Sequence, residues 1–133
     1  MMQEIIHRVY YNETDKMGRV YHANFLNWME EARTEYIRNH NLNYKEMEEN
    51  GILLPVSEIK IKYLAPVEYD EEVCIVTDIL QLNRVKVIFK YEFYNKQKSI
   101  KFGEAESINV FTDKNGKIKK VDKILIDKIK GGK

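Results

Sequence analysis

The sequence predicts an α+β protein: one long amphipathic helix near the N-terminus, held against an antiparallel five-stranded sheet built mostly from the segments that follow it. Two patterns carry this prediction. Phe25, Leu26, Trp28, Met29, Ala32, Tyr36 and Ile37 recur at spacings of three and four, the period of a helix with one apolar stripe. Beyond Pro55, apolar and charged residues alternate in runs separated by turn residues, the period of half-buried strands. The 133 residues suit a single domain spanning 1–133, large enough for a core without disulfides or metal. A single apolar stripe covers one sheet face, so the sheet should wrap the helix, and its remaining edges and face invite self-association.

Taken in order, residues 5–11 form the first strand, with Ile5, Val9 and Tyr11 favouring extended backbone. Residues 12–22 are a polar loop that carries Glu13 and Asp15 and bends at Gly18. The helix is expected over about 23–40, with Glu30, Glu31, Arg33, Glu35 and Arg38 mostly off its stripe. A short helical turn anchored by Leu42, Tyr44 and Met47 follows and stops at Gly51. Between Pro55 and Pro66, Ile59, Ile61 and Tyr63 alternate with Glu58, Lys60 and Lys62. Residues 73–82 are more continuously apolar. Past the turn at Asn83 and Arg84, Val85, Val87, Phe89, Tyr91 and Phe93 alternate with Lys86, Lys90 and Glu92. Residues 99–111 make the last long strand. Short connections suggest that these four strands follow one another as antiparallel hairpins. Val121, Ile124, Leu125 and Ile129 predict a short C-terminal helix, with a fraying tail from Gly131 to Lys133.

Composition excludes several classes of function. Lys and Arg total 22 against 21 Asp and Glu, so overall charge gives no argument for nucleic acid. With 44% hydrophobic and 11% aromatic residues the chain is not a disordered one. The single Cys74 forms no intramolecular disulfide and gives no sign of an oxidising compartment. The start, Met1-Met2-Gln3-Glu4, lacks the basic and apolar regions of a signal peptide. No apolar run approaches the ~18–20 residues of a membrane span. A cytoplasmic protein is expected. His7, His22, His40 and Cys74 lack metal-site spacing, and no phosphate-binding glycine loop, serine elbow or zinc-protease motif occurs. No metal is expected.

What remains is Asp15, in a loop between a strand and a helix start. On composition alone it reads as a turn residue or cap. Its proximity in sequence to the unpaired amides of His22 and Ala23 suits a reaction in which a base acts on water while a carbonyl oxygen gains negative charge. The run Tyr11…Thr14-Asp15…Gly18…Val20-Tyr21-His22-Ala23-Asn24-Phe25-Leu26…Trp28…Glu30…Ala32-Arg33 resembles the signature of the hotdog-fold acyl-CoA thioesterases, in particular the 4-hydroxybenzoyl-CoA thioesterase-like (YbgC-like) family.

The resemblance implies a sheet around a central helix, paired into a homodimer and often a homotetramer. It implies an acyl-CoA substrate, so coenzyme A enters with the substrate and no cofactor is required. It implies that Asp15 attacks the thioester carbonyl or activates water for that attack, general-base help being worth ~10²–10⁴ in rate. The backbone N–H groups of His22 and Ala23 become oxyanion donors, and Tyr21 and Asn24 contact substrate; the His22 side chain either touches substrate in the pocket or is a helix-start residue exposed to solvent. Arg84 and Lys86, flanking a turn, are candidates for the phosphates of coenzyme A. Glu13 departs from the aspartate that many relatives carry, and reads as a supporting or solvated residue. If Glu13 and Asp15 shared a strand face, like-charge repulsion would raise one pKa. An acyl-carrier-protein thioesterase and a non-catalytic acyl-CoA-binding protein remain as alternatives.

Overall fold

The computed structural model describes residues 2–131, so part of the expected fraying tail, Gly132 and Lys133, lies outside the described residues. The elements are β1 (Gln3–Arg8), a single 3₁₀ turn (Tyr11–Glu13), α1 (Asn24–Arg38), α2 (Tyr44–Glu49), β2 (Val56–Tyr63), β3 (Glu72–Leu82), β4 (Lys86–Asn95), β5 (Lys101–Val110) and α3 (Lys123–Ile129). All five strands join one antiparallel sheet in the order β1-β3-β4-β5-β2. The α+β layout is the expected one, but its strand order is not. Only β3, β4 and β5 follow as hairpins, while β2 crosses to the far edge and β1 lies beside β3. A period-two pattern fixes the faces of a strand and leaves its neighbour open. Three strand spacings separate β2 from β3, about 14 Å, within reach of the eight-residue connection 64–71 at about 3.3 Å per residue.

The stripe of α1 packs on one face of this sheet. Phe25, Trp28, Met29, Ala32, Tyr36 and Ile37 are buried against Val73, Ile75, Phe89, Tyr91, Phe93 and Phe102. Leu26 is exposed, and Arg33, expected off the stripe, is buried in its place. Its guanidinium donates to the Tyr91 hydroxyl at 3.2 Å. That hydroxyl bonds to Ser107 at 2.8 Å, and the Ser107 hydroxyl donates to Asn109 at 2.9 Å. A polar chain thus runs through an otherwise apolar layer.

β4 alternates buried and half-buried residues as its sequence requires. In α3 the buried residues are Ile126 and Ile129, whereas Ile124, expected on the apolar face, is exposed. Cys74 is buried on the outer face of the sheet, where its thiol donates to Glu4 at 3.3 Å. Burial, with Glu4 beside it, pushes its pKa up to about 11, which makes it a poor nucleophile. Among the described residues no helix is long and apolar enough to cross a membrane, and no cluster of His, Cys, Asp or Glu could hold a metal ion.

The edge strand β2 is the open part of the fold. Ile59, Ile61 and Tyr63 pair with Ser107, Ala105 and Gly103 on the helix side of the sheet. Nevertheless Ile59 is 39% exposed and Tyr63 46% exposed.

Candidate active site

The chain leaves β1 through the 3₁₀ turn and folds into a small hairpin closed by the Thr14–Val20 bridge. Asp15 N–H donates to the Arg19 carbonyl at 2.7 Å, and Gly18 N–H to the Asp15 carbonyl at 3.1 Å. Gly18 has φ +77°, the left-handed conformation this bend needs. Asp15 Oδ1 accepts from the amides of Met17 at 2.8 Å and Arg19 at 3.3 Å, the local bonding for which aspartate suits turns. Asp15 is exposed, with Oδ2 unbonded among the described residues.

The helix begins without a cap. Asn24, Phe25 and Leu26 N–H donate to the carbonyls of Tyr21, His22 and Ala23 at 2.9, 3.2 and 3.1 Å. Among the described residues the amides of His22 and Ala23 have no acceptor, and no side chain caps the helix at Ala23. Nor does an acidic residue lie in the first turn. Asn24 turns away from capping: its amide donates to the carbonyls of Glu13 at 2.8 Å and Tyr21 at 3.2 Å. Two N–H groups at the positive end of a 15-residue helix are therefore left open.

Beside them lies a cleft of about 320 Å³, bounded by Val20, His22, Phe25, Tyr63, Leu64 and Pro66. The His22 ring sits between those of Tyr21 at 4.5 Å and Tyr63 at 5.9 Å. The Tyr63 hydroxyl donates to the His22 carbonyl at 3.2 Å. Tyr21, His22, Ala23 and Asn24 thus gather at the helix start. Asp15 stands on the adjoining hairpin and does not line this cleft. Arg84 and Lys86 do not join the group within one chain. Their turn lies beyond the Leu82–Val87 pair, whereas β1 reaches the site from the Val73–Asn95 end of the sheet. Arg84 Nε donates to the Val121 carbonyl at 2.6 Å, tying down the segment before α3.

The residue whose role the sequence left open is the most connected one here. Glu13 is 9% exposed. Its carboxylate accepts from His7 Nε2 at 2.9 Å, Tyr10 N–H at 2.7 Å and Trp28 Nε1 at 2.8 Å. His7 Nδ1 lies 3.0 Å from Glu31. Burial opposes ionisation of Glu13, but the bonds from His7, the Tyr10 amide and Trp28 outweigh it, and its pKa lies below the ordinary value. The 3₁₀ turn breaks the strand, so Glu13 points inward while Asp15 is exposed. The two do not share a face, so the condition for like-charge repulsion between them is not met. No periodicity links residues 7, 13, 28 and 31. The signal in the sequence was an acidic residue, Glu13, within the motif that resembles the family; nothing local to His7, Trp28 or Glu31 named them as its partners.

A second cleft, of about 420 Å³, opens at the Val56 end of β2 between Glu30, Arg33, Tyr44, Glu48, Leu53 and Val56. Among the described residues no carboxylate pairs with Arg33. Burial pushes the Tyr44 phenol up to about 12.

Known proteins share this architecture and sequence. The profile of the thioesterase-like superfamily matches residues 9–129. The chain belongs to that family. It is a thioester hydrolase with the hotdog fold. A putative acyl-CoA thioesterase of Bacillus subtilis, YneP, is 41% identical over 106 residues, 80% of this chain and 76% of that one. The acyl-CoA thioester hydrolase YbgC of Escherichia coli is 31% identical over 80% of this chain and 78% of its own. A DHNA-CoA thioesterase from Staphylococcus aureus superposes with a TM-score of 0.86 at 29% identity, covering 91% of this chain and 81% of that one.

Proposed function

We propose that the protein hydrolyses the thioester of an acyl-CoA to the free acid and coenzyme A. The observation that carries the reading is the pair of unbonded amides, His22 and Ala23, beside a cleft, with the Asp15 hairpin immediately before them. The thioester carbonyl oxygen takes up the two N–H groups, which bind it more strongly as it becomes an oxyanion. Asp15 removes a proton from the water that attacks the carbonyl carbon. Collapse of the tetrahedral intermediate breaks the C–S bond, and the thiolate leaves with the proton held by Asp15. A thiolate is a good leaving group, so one carboxylate and an oxyanion hole suffice without a triad.

A second copy completes the site in this reading. The unpaired edge of β2, with exposed Ile59 and Tyr63 on the helix side, suits two-fold pairing with itself. Antiparallel pairing of two β2 strands sets the Tyr63 end of one against the Val56 end of the other. Each helix-start cleft then faces the Arg33 cleft of the partner, and the Asp15 hairpin gains a wall that its own chain lacks.

The test is thiol release from short, medium, long and aromatic acyl-CoAs, and from acyl-carrier-protein thioesters, by wild type and Asp15→Asn. Asp15→Asn is expected to lower turnover by ~10²–10⁴ while leaving the fold intact, since the side chain is exposed. Wild-type turnover by a folded Asp15→Asn protein refutes the role. Incorporation of ¹⁸O into Asp15 during a single turnover in labelled water would assign direct attack in place of water activation.

A further inference from the structure

We infer that Glu13 is the positioning residue of this site, holding the Asp15 hairpin and the open amides of the helix start in one fixed relation; the inference rests on the reaction proposed above. Both ends of the residue are engaged. The carboxylate binds β1 through His7, the strand exit through Tyr10 N–H, and the second turn of α1 through Trp28. The backbone carbonyl accepts from Tyr21 N–H at 2.8 Å and Asn24 Nδ2 at 2.8 Å. Asp15 lies two residues after Glu13, and the first open amide, His22, immediately follows Tyr21. Glu13 thus accepts from five donors, on β1, at the strand exit and at the helix start, and ties both halves of the site together without lining the cleft.

The arrangement is also directional. His7 is clamped between Glu13 and Glu31, and its ring packs on Trp28 at 5.2 Å and Tyr10 at 5.6 Å. These contacts leave the Glu13 carboxylate little freedom to rotate. Small displacements of a catalytic group cost much more in rate than in folding energy, because attack requires reacting atoms within ~3–3.5 Å in good alignment. A loosened Glu13 should thus act on turnover before it acts on the fold.

Glu13→Gln keeps the shape but offers Trp28 and His7 a weaker acceptor, and cannot satisfy both while its amide nitrogen faces a donor. The expected result is a fall in kcat of tenfold or more with KM within about twofold, measured per folded molecule on an acyl-CoA that wild type hydrolyses. Trp28, the chain's single tryptophan, reports the bond directly, and its emission should shift in Glu13→Gln. Glu13→Asp keeps the charge and should recover part of the lost kcat. Should Glu13→Gln not fold, Trp28→Phe and His7→Asn each remove one of the bonds and should give the same kcat-weighted loss in smaller measure. Unchanged kcat per folded molecule in these variants overturns the inference, as does a loss borne by KM alone. Wild-type protein inactive on every thioester would refute the reaction itself. The Trp28 emission shift would still show whether Glu13 holds the helix.

Discussion

Gly103→Ala tests how tightly the sheet is built around the site. Gly103 lies on β5 opposite Tyr63 of β2 and Phe93 of β4. A Cβ there would stand 2.8 Å from the Lys62 carbonyl oxygen and 3.5 Å from Phe25 Cε2. The first distance is inside van der Waals contact, and the atom met is backbone, so β2 must move or the pair must open. Such overpacking costs ~1–3 kcal/mol. Unfolding entropy of ~2.1 cal/mol/K per residue gives ~0.28 kcal/mol/K for 133 residues, so Tm should fall by ~4–11 °C. Thermal unfolding followed by circular dichroism at fixed protein concentration measures this. Activity should fall too, because Phe25 and Tyr63 line the helix-start cleft. A Gly103→Ala protein with wild-type Tm and activity would refute the claimed contact and the tight placement of β2.

Three other predictions follow from the same geometry. Ala23→Pro deletes one proposed oxyanion donor at a residue whose φ of −64° already matches proline; kcat should fall ~10²–10³-fold with helical circular dichroism retained, whereas His22→Ala, which keeps its amide, should change kcat only a few-fold. Glu13 has a folded pKa depressed below 4.5, so its contribution to stability is full above that value and is lost as pH falls through the folded pKa; urea unfolding at pH 7 and at successively lower pH should show a smaller acid loss for Glu13→Gln than for wild type. Replacing the exposed Ile59 of β2 by aspartate should block self-pairing of the edge, converting an oligomer to monomer in sedimentation and abolishing turnover; an active monomer would show that the site needs no second copy.

Much of this protein could be read along its chain. Helical spacing in residues 25–37 and alternation in β4 follow from periods of 3.6 and 2, which depend only on neighbours in sequence. The turn at Asp15 to Gly18 was legible for the same reason, since its bonds span four residues. The motif from Tyr11 to Arg33 pointed to the family because hairpin and helix start are consecutive. Other features required the folded molecule. The place of β2 at the far edge, the burial of Arg33 beneath Tyr91, and the meeting of His7, Glu13, Trp28 and Glu31 join residues up to 58 apart. Local periodicity carries no information about such partners. Sequence determined the elements and the polar loop between them; the sheet order, and with it which polar residues are buried together behind the helix start, was decided by packing, because burial forces each donor and acceptor to find a partner wherever the chain has brought one.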